Sequence, residues 1–352
     1  MVDFYYFVLL AIAMCIYILW VYDRRTRKQY KAVTCTAYDG IAIDQSILVL
    51  HAYAQVGQKQ PINFSKETIE AKFFVHLPKP DALWAGWSFY QIEGCTGLVD
   101  YGVKSKSMLG LVGVHEEKKI ISFAFRNTRK VSDLVNAFQL TFDKNKKIGY
   151  PGYLHKGYSD VFNSCIPSLD RIIKALCEKI ADIGSYDIVT TGHSLGGSLA
   201  TLLAAYMVEH PMYTQVLDLK KMHLITFGAP YVGTKCGKYH FSRWLTQHIP
   251  YIKCFERTTD IVPLVTNVAT LQIAPKSWWG YQWARKIQLV PPSPVPIELF
   301  HFHDSRFNFR RAHDICKYRY AVYKELGIPY QKIYLKEYSL ARLFGRKPKQ
   351  KK

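Results

Sequence analysis

Residues Tyr186 to Glu209 read Y-D-I-V-T-T-G-H-S-L-G-G-S-L-A-T-L-L-A-A-Y-M-V-E. Ile188 to Thr191 is a short apolar, β-branched run of the kind found in buried strands. Leu199, Leu202, Leu203, Tyr206 and Met207 recur at helical spacing, and Pro211 lies just past the end of that run. Between the two stands Gly192-His193-Ser194-Leu195-Gly196, a G-x-S-x-G match. A serine on such a sharp turn projects its hydroxyl above the sheet edge. Gly192 and Gly196 stand where a Cβ would strike the neighbouring strand or helix. The helix N-terminus brings partial positive charge to the reacting oxygen. A glycine-rich turn without chemistry is the plainer alternative, but the strand before and the helix after favour a nucleophile at Ser194.

Upstream, Lys119 to Arg126 (K-I-I-S-F-A-F-R) predicts a strand, followed by a short amphipathic helix over Val131 to Phe138. Ser159 to Ile183 is a long helical pattern interrupted by Pro167. Ile47 to Gln55 predicts an apolar helix, Leu83 to Ile92 core strand and turn, and Gly94 to Val114 strands joined by turns. Downstream, Met222 to Phe227 and Tyr251 to Phe255 predict strands, and Leu271 to Val290 has strand-like pieces. Pro291 to Pro296 reads as an extended loop, and a final helix begins near His313. Strands alternating with helices give an α/β sheet, mostly parallel in its middle, with catalytic groups expected at its carboxyl edge.

Phe4 to Tyr22 is uncharged, apolar and aromatic. As a helix it spans about 28 Å, close to a bilayer core of about 30 Å. A signal peptide is the rival reading, but a basic n-region and a small-residue cleavage site are lacking. Residues 1–23 are therefore expected to be a single transmembrane anchor. Residues 24–31, with Arg24, Arg25, Arg27, Lys28 and Lys31, form a basic juxtamembrane segment that places the domain on the cytosolic side. The α/β domain is expected over 32–341, with a basic disordered tail over 342–352. The formal charge of +20 (47 basic against 27 acidic residues) predicts attraction to an anionic surface. No zinc-type cluster or nucleic-acid-binding motif stands out, so acidic lipid is favoured over nucleic acid. The eight cysteines are scattered without a C-x-x-C pair, which favours free thiols.

A serine nucleophile needs a base, and the base needs an orienting acid. Asp260 is the acid candidate because it follows a predicted strand, whereas Asp218 precedes one. His301, His303 and His313 are the base candidates beyond it. His313 is preferred, at the start of the last helix on a loop that can swing over the sheet.

Several ordered motifs make the chain resemble the class 3, or fungal-type, lipases from about Lys119 to Tyr323. Gly192-His193-Ser194-Leu195-Gly196-Gly197 is similar to the family elbow, and Phe125-Arg126-Asn127-Thr128 to its F-R-G-[ST] oxyanion loop. His155-Lys156-Gly157-Tyr158 is similar to H-x-G-[FY], and Asp260-Ile261-Val262-Pro263 to D-x-V-P. Thr226 to Gly233 is similar to the family's strand and turn after the elbow, and His313 precedes Tyr318 as the family's last triad member precedes a tyrosine. The resemblance implies an α/β-hydrolase fold in which Ser194 attacks an ester carbonyl, His313 moves the proton and Asp260 holds the imidazole. The backbone N–H groups of Leu195 and Thr128, with the Thr128 hydroxyl, would bind the oxyanion, and a lid would follow over about 129–144. Asn127 departs from the family glycine, and asparagine tolerates left-handed backbone. Leu134 and Ala137 depart from D-W-x-x-D, and Trp283 from G-Y-x-H.

The expected function is a membrane-anchored serine esterase acting on glycerides or glycerophospholipids, without cofactor or metal. The expected partners are a lipid ester substrate and an anionic membrane surface, with no nucleic acid and no obligate protein partner. A lipid acyltransferase, or a catalytically weak lipid-binding protein on the same fold, are the alternatives.

Overall fold

The computed structural model describes residues 35–56, 86–96, 105–127, 142–233, 241–257, 260, 262–263, 298–302 and 313–329. The first described helix, α1 (Ala37–Val56), starts well before its apolar run. Thr36 and Asp39 explain the early start: the Asp39 carboxylate accepts from the Thr36 N–H (2.6 Å) and hydroxyl (3.1 Å), tying the first turn shut. The aromatic stretch continues into β1 (Trp87–Thr96), which pairs antiparallel with β2 (Ser105–His115) through a bulge at Ile92/Glu93. Next come β3 (Ile120–Phe125), then β4 (Phe142–Asp143) and β5 (Leu154–His155), which pair with each other, and α2 (Lys156–Lys179). The nucleophile segment is β6 (Asp187–His193) and α3 (Leu195–Glu209), followed by α4 (Pro211–Val216) and β7 (Met222–Phe227). The described chain closes with α5 (Phe241–His248), β8 (Tyr251–Arg257), β9 (Glu298–Phe302) and α6 (Ile315–Glu325).

Among the described residues these strands form a seven-stranded sheet in the order β1-β2-β3-β6-β7-β8-β9. From β3 to β9 every neighbouring pair is parallel, and β1, β2 and β3 are antiparallel at one side. The mostly parallel middle expected from the alternating pattern is present. Parallel strands need crossovers, and α2, α3 and α5 supply them over one face. Ile121, Phe123, Ile188 and Leu224 point into the core beneath those helices. Their neighbours Ile120, Ala124, Val189 and Ile225 point to a second core, which α1 and α6 cover.

Helix α2 differs from the pattern in two ways. It begins at Lys156, capped by the His155 ring accepting from Tyr158 N, and it runs through Pro167 unbroken. Proline removes one N–H from the ladder. The buried face of Phe162, Cys165, Leu169 and Ile173 carries the helix across the gap. Cys35, Cys95, Cys165, Cys177, Cys254 and Cys316 are free thiols. Among the described residues no helix is long and apolar enough to cross a membrane. The predicted span Phe4 to Tyr22, the basic segment after it, the helix over Val131 to Phe138, the stretch from Leu271 to Pro296 and the tail 342–352 lie outside the described residues.

Candidate active site

Parallel strands end together at one edge of the sheet. β6 ends at His193, β8 at Arg257 and β9 at Phe302, and in register His193 lies beside Phe227 while Phe227 lies beside Phe255. Ser194 follows β6 at φ 57°, ψ −128°, a conformation that side-chain-bearing residues rarely adopt. Its N–H donates to the Phe227 carbonyl (2.9 Å) and its carbonyl accepts from Gly197 N (2.9 Å), so the turn is pinned on both sides. The close approach that this turn demands explains its glycines. A Cβ on Gly192 would lie 2.2 Å from the Gly196 carbonyl carbon, and one on Gly196 would lie 2.2 Å from the Phe125 carbonyl oxygen. The second contact seats the elbow directly against the end of β3, where the oxyanion loop begins. Leu195 opens α3, and first-turn amides have no intrahelical partner, so its N–H is available to a reacting oxygen. Thr128 lies outside the described residues.

Asp260 follows β8 and is 3 % exposed. Its Oδ2 accepts from His313 Nδ1 at 2.7 Å and from the Tyr318 hydroxyl at 2.7 Å, and its Oδ1 accepts from Val262 N at 3.0 Å. Burial pushes this carboxyl up. The charge and hydrogen bond of His313, with the Tyr318 and Val262 donors, outweigh burial and hold it below the usual aspartate range. The Tyr318 hydroxyl also accepts from Arg257 N (3.2 Å), which fixes the tyrosine to the end of β8. His313 stands one residue before Asp314, which caps α6 by accepting from Cys316 N (3.0 Å). With Nδ1 turned to Asp260, Nε2 of His313 is left to accept a proton. The His313 ring lies against His193, the neighbour of Ser194, with centroids 4.5 Å apart. The structure therefore brings Ser194, Asp260 and His313 to one place. Asp218, the weaker acid candidate, instead accepts from Lys220 N in the turn before β7. His301 is a residue of β9, and His303 lies outside the described residues.

Two features here are not legible in the motifs. His193 is buried beside His313; burial first, then the nearby His313, hold its pKa well below the ordinary range, so it stays neutral. Asn127 Nδ2 approaches His193 Nδ1 at 3.5 Å. Asn127 does not have a positive φ, so it does not use the left-handed backbone that its replacement of glycine suggests. Gly228, in contrast, sits at φ 55°, and a Cβ there would lie 2.7 Å from Asp260 Oδ2, 2.9 Å from the Tyr318 hydroxyl and 3.2 Å from His313 Nδ1. Gly228→Ala is expected to displace the acid and the base together and to lower kcat by about 10²-fold. Steady-state kinetics on a soluble ester, alongside a melting curve, checks this. Unchanged kcat would show that the carboxylate can move without cost. Among the described residues no group of His, Cys, Asp and Glu is arranged to hold a metal ion.

The fold and the mostly parallel sheet are those of an α/β-hydrolase. Residues 122–270 match the family model for lipase (class 3). The resemblance drawn from the motifs is thereby borne out. A Caenorhabditis elegans lipase is 27 % identical over 186 residues, covering 51 % of this chain and 48 % of that protein. A Rhizopus niveus lipase is 26 % identical over 160 residues, covering 44 % and 37 %. The chain thus spans about half or less of the length of the curated relatives it matches. Among solved structures, a Rhizomucor miehei lipase propeptide complex is 16 % identical, with 66 % of this chain and 63 % of that chain covered and a TM-score of 0.45. The lipase from Rhizopus microsporus var. chinensis is 19 % identical, with 66 % and 71 % covered and a TM-score of 0.45.

Proposed function

We propose that the chain is a serine esterase that hydrolyses the acyl esters of glycerides or glycerophospholipids through an acyl-enzyme. The observation that carries this reading is the 2.7 Å contact between Asp260 and His313 Nδ1, set beside a strained Ser194 at the carboxyl edge of the sheet. In the first step His313 Nε2 takes the Ser194 proton while Oγ attacks the ester carbonyl. The Leu195 N–H and, by the family match, the Thr128 N–H and hydroxyl receive the negative charge on the carbonyl oxygen. The proton then passes from His313 to the leaving alcohol oxygen as the C–O bond breaks. Water, deprotonated by the same nitrogen, splits the acyl-enzyme and restores the Ser194 hydroxyl. Asp260 holds one imidazole tautomer and stays charged throughout.

Anchoring by Phe4 to Tyr22 belongs to the same reading, with the domain facing the cytosol and an anionic lipid surface as its partner. The apolar run, its basic flank and the net charge of +20 support it. The test is a fluorophosphonate probe, followed by a panel of acyl glycerides and glycerophospholipids presented in vesicles. Covalent labelling with release of free fatty acid is the expected result. Transfer of the acyl group to an added alcohol in preference to water would make the chain an acyltransferase. Absence of labelling, with no ester turned over, would overturn the enzymatic reading. Asn63-Phe64-Ser65 is a glycosylation sequon that only a lumenal domain could use. A glycosidase-sensitive mass shift lost in Asn63→Gln would reverse the orientation.

A further inference from the structure

Helix α1 lies outside the residues matched by the family model, yet it touches three of the segments that build the site. It meets β6 through Ser46, whose hydroxyl lies 3.1 Å from Thr191 Oγ1; Thr191 in turn donates to the Ala42 carbonyl (3.2 Å). It meets the oxyanion loop through Tyr53, whose ring lies 4.3 Å from the Arg126 guanidinium carbon. Arg126 itself holds the Asn127 carbonyl (2.9 Å) and the Met108 carbonyl (2.8 Å). It meets α6 through Asp44. Arg319 Nε donates to Asp44 Oδ1 at 2.7 Å, the Tyr323 hydroxyl donates to Asp44 Oδ2, and Arg319 Nη2 donates to the Tyr323 oxygen at 2.8 Å. Asp44, Arg319 and Tyr323 are 3 %, 4 % and 2 % exposed.

The placement on α6 is what matters. Arg319 is the residue after Tyr318, whose hydroxyl holds Asp260, and α6 begins directly behind His313. Successive helical residues point about 100° apart, so one side of α6 is fixed to α1 while the adjacent side reaches the catalytic carboxylate. A rotation or slide of α6 would carry the Tyr318 hydroxyl and the His313 loop with it. Buried ion pairs are poor stabilisers compared with apolar side chains of the same volume, and their best-attested use is to select one register. We propose that Asp44 of α1, acting through Arg319 and Tyr323, is a positioning residue that sets the rotation of α6 and so holds the Asp260–His313 pair in its working geometry. This rests on the esterase reading above.

The alternative is a staple that serves stability alone, and the two separate cleanly. Asp44→Leu/Arg319→Met replaces the pair with apolar groups of similar volume, which is expected to leave the melting temperature of the full chain within a few degrees. If the pair positions the site, kcat on a soluble short-chain ester falls by about 10²-fold while KM is unchanged, since a small misplacement of catalytic groups costs about that much. The low-field proton resonance of the His313–Asp260 hydrogen bond should also be lost or shifted. Wild-type kcat with a wild-type resonance would overturn the proposal. Should the double variant fail to fold, Tyr323→Phe removes one hydroxyl and keeps the ion pair. A roughly 3–10-fold lower kcat with a shifted resonance supports positioning, and an unchanged resonance and kcat overturns it. Wild-type protein that turns over no ester would sink the esterase reading, while the resonance comparison would still decide this one.

Discussion

Ser194→Ala is expected to abolish fluorophosphonate labelling and to lower kcat on a soluble ester by about 10⁵–10⁶-fold, leaving only what the oxyanion donors and substrate binding provide. The expectation rests on how the neighbouring hydroxyls are engaged. Ser198 donates to the Pro230 carbonyl at 2.9 Å, Thr201 donates to the Gly197 carbonyl at 2.8 Å, and Thr190 and Thr191 are fully buried within β6. Ser194 alone stands on the turn at φ 57° beside the His193 and His313 rings. Alanine tolerates that backbone no worse than serine, so the fold should melt at an unchanged temperature. Mass spectrometry of the labelled protein, with a melting curve, checks both halves. Residual labelling at another serine would move the nucleophile.

Asp260→Asn is expected to cost about 10⁴-fold in kcat with little change in KM. Asp260 Oδ2 accepts from two donors, the His313 ring and the Tyr318 hydroxyl. An amide can accept on only one side and must donate on the other. With its oxygen in the place of Oδ2 it keeps both donors but sets its NH₂ against the Val262 N–H that Oδ1 accepts in the aspartate; turned over, it presents its NH₂ to His313 and Tyr318 and favours the tautomer that carries its proton on Nε2, where the serine proton must go. The charge matters as well. The carboxyl is held below its ordinary range, so the stability it contributes is present above the unfolded aspartate pKa and is lost as pH falls through the lowered folded value. In the asparagine variant this acid-side dependence should flatten. Melting curves between about pH 2 and pH 5 read it, that window spanning the ordinary aspartate value of about 3.9. A loss below tenfold in kcat would give the orienting role to another acid.

The elbow was legible because its determinants are local. A β-branched run, two glycines forced by backbone contact and a helical repeat lie within a few residues of one another, and each is visible as residue type and spacing. Asp260 and His313 followed from chain order and from the rule that parallel strands present their chemistry at their carboxyl ends. Where the reading fell short, the missing information was long-range or ran against local pattern. The apolar pattern predicts only Ile47 to Gln55 of α1 as helix, because Asp39, Asp44, Gln45 and Ser46 interrupt the apolar run. All four are buried, and Asp39, Asp44 and Ser46 are matched by partners far along the chain. Pro167 marked a break that the buried face of α2 overrides. Asn127, in the place of the family glycine, suggests a left-handed backbone that it does not adopt, whereas Gly228 does adopt one and so brings the backbone close to Asp260.

The pairing of α1 with α6 also sets a schedule for biosynthesis. Asp44 and Arg319 are separated by 275 residues. At roughly 5–20 residues per second, a ribosome delivers the arginine roughly 14–55 s after the aspartate. Ala42, Ile43, Ile47, Leu48, Val49 and Leu50 are almost completely buried in the finished molecule, on a helix enclosed by β6 and α6. Throughout that interval the nascent helix carries this apolar surface and a carboxylate without its cation. Its second wall arrives only when nearly the whole domain has been made.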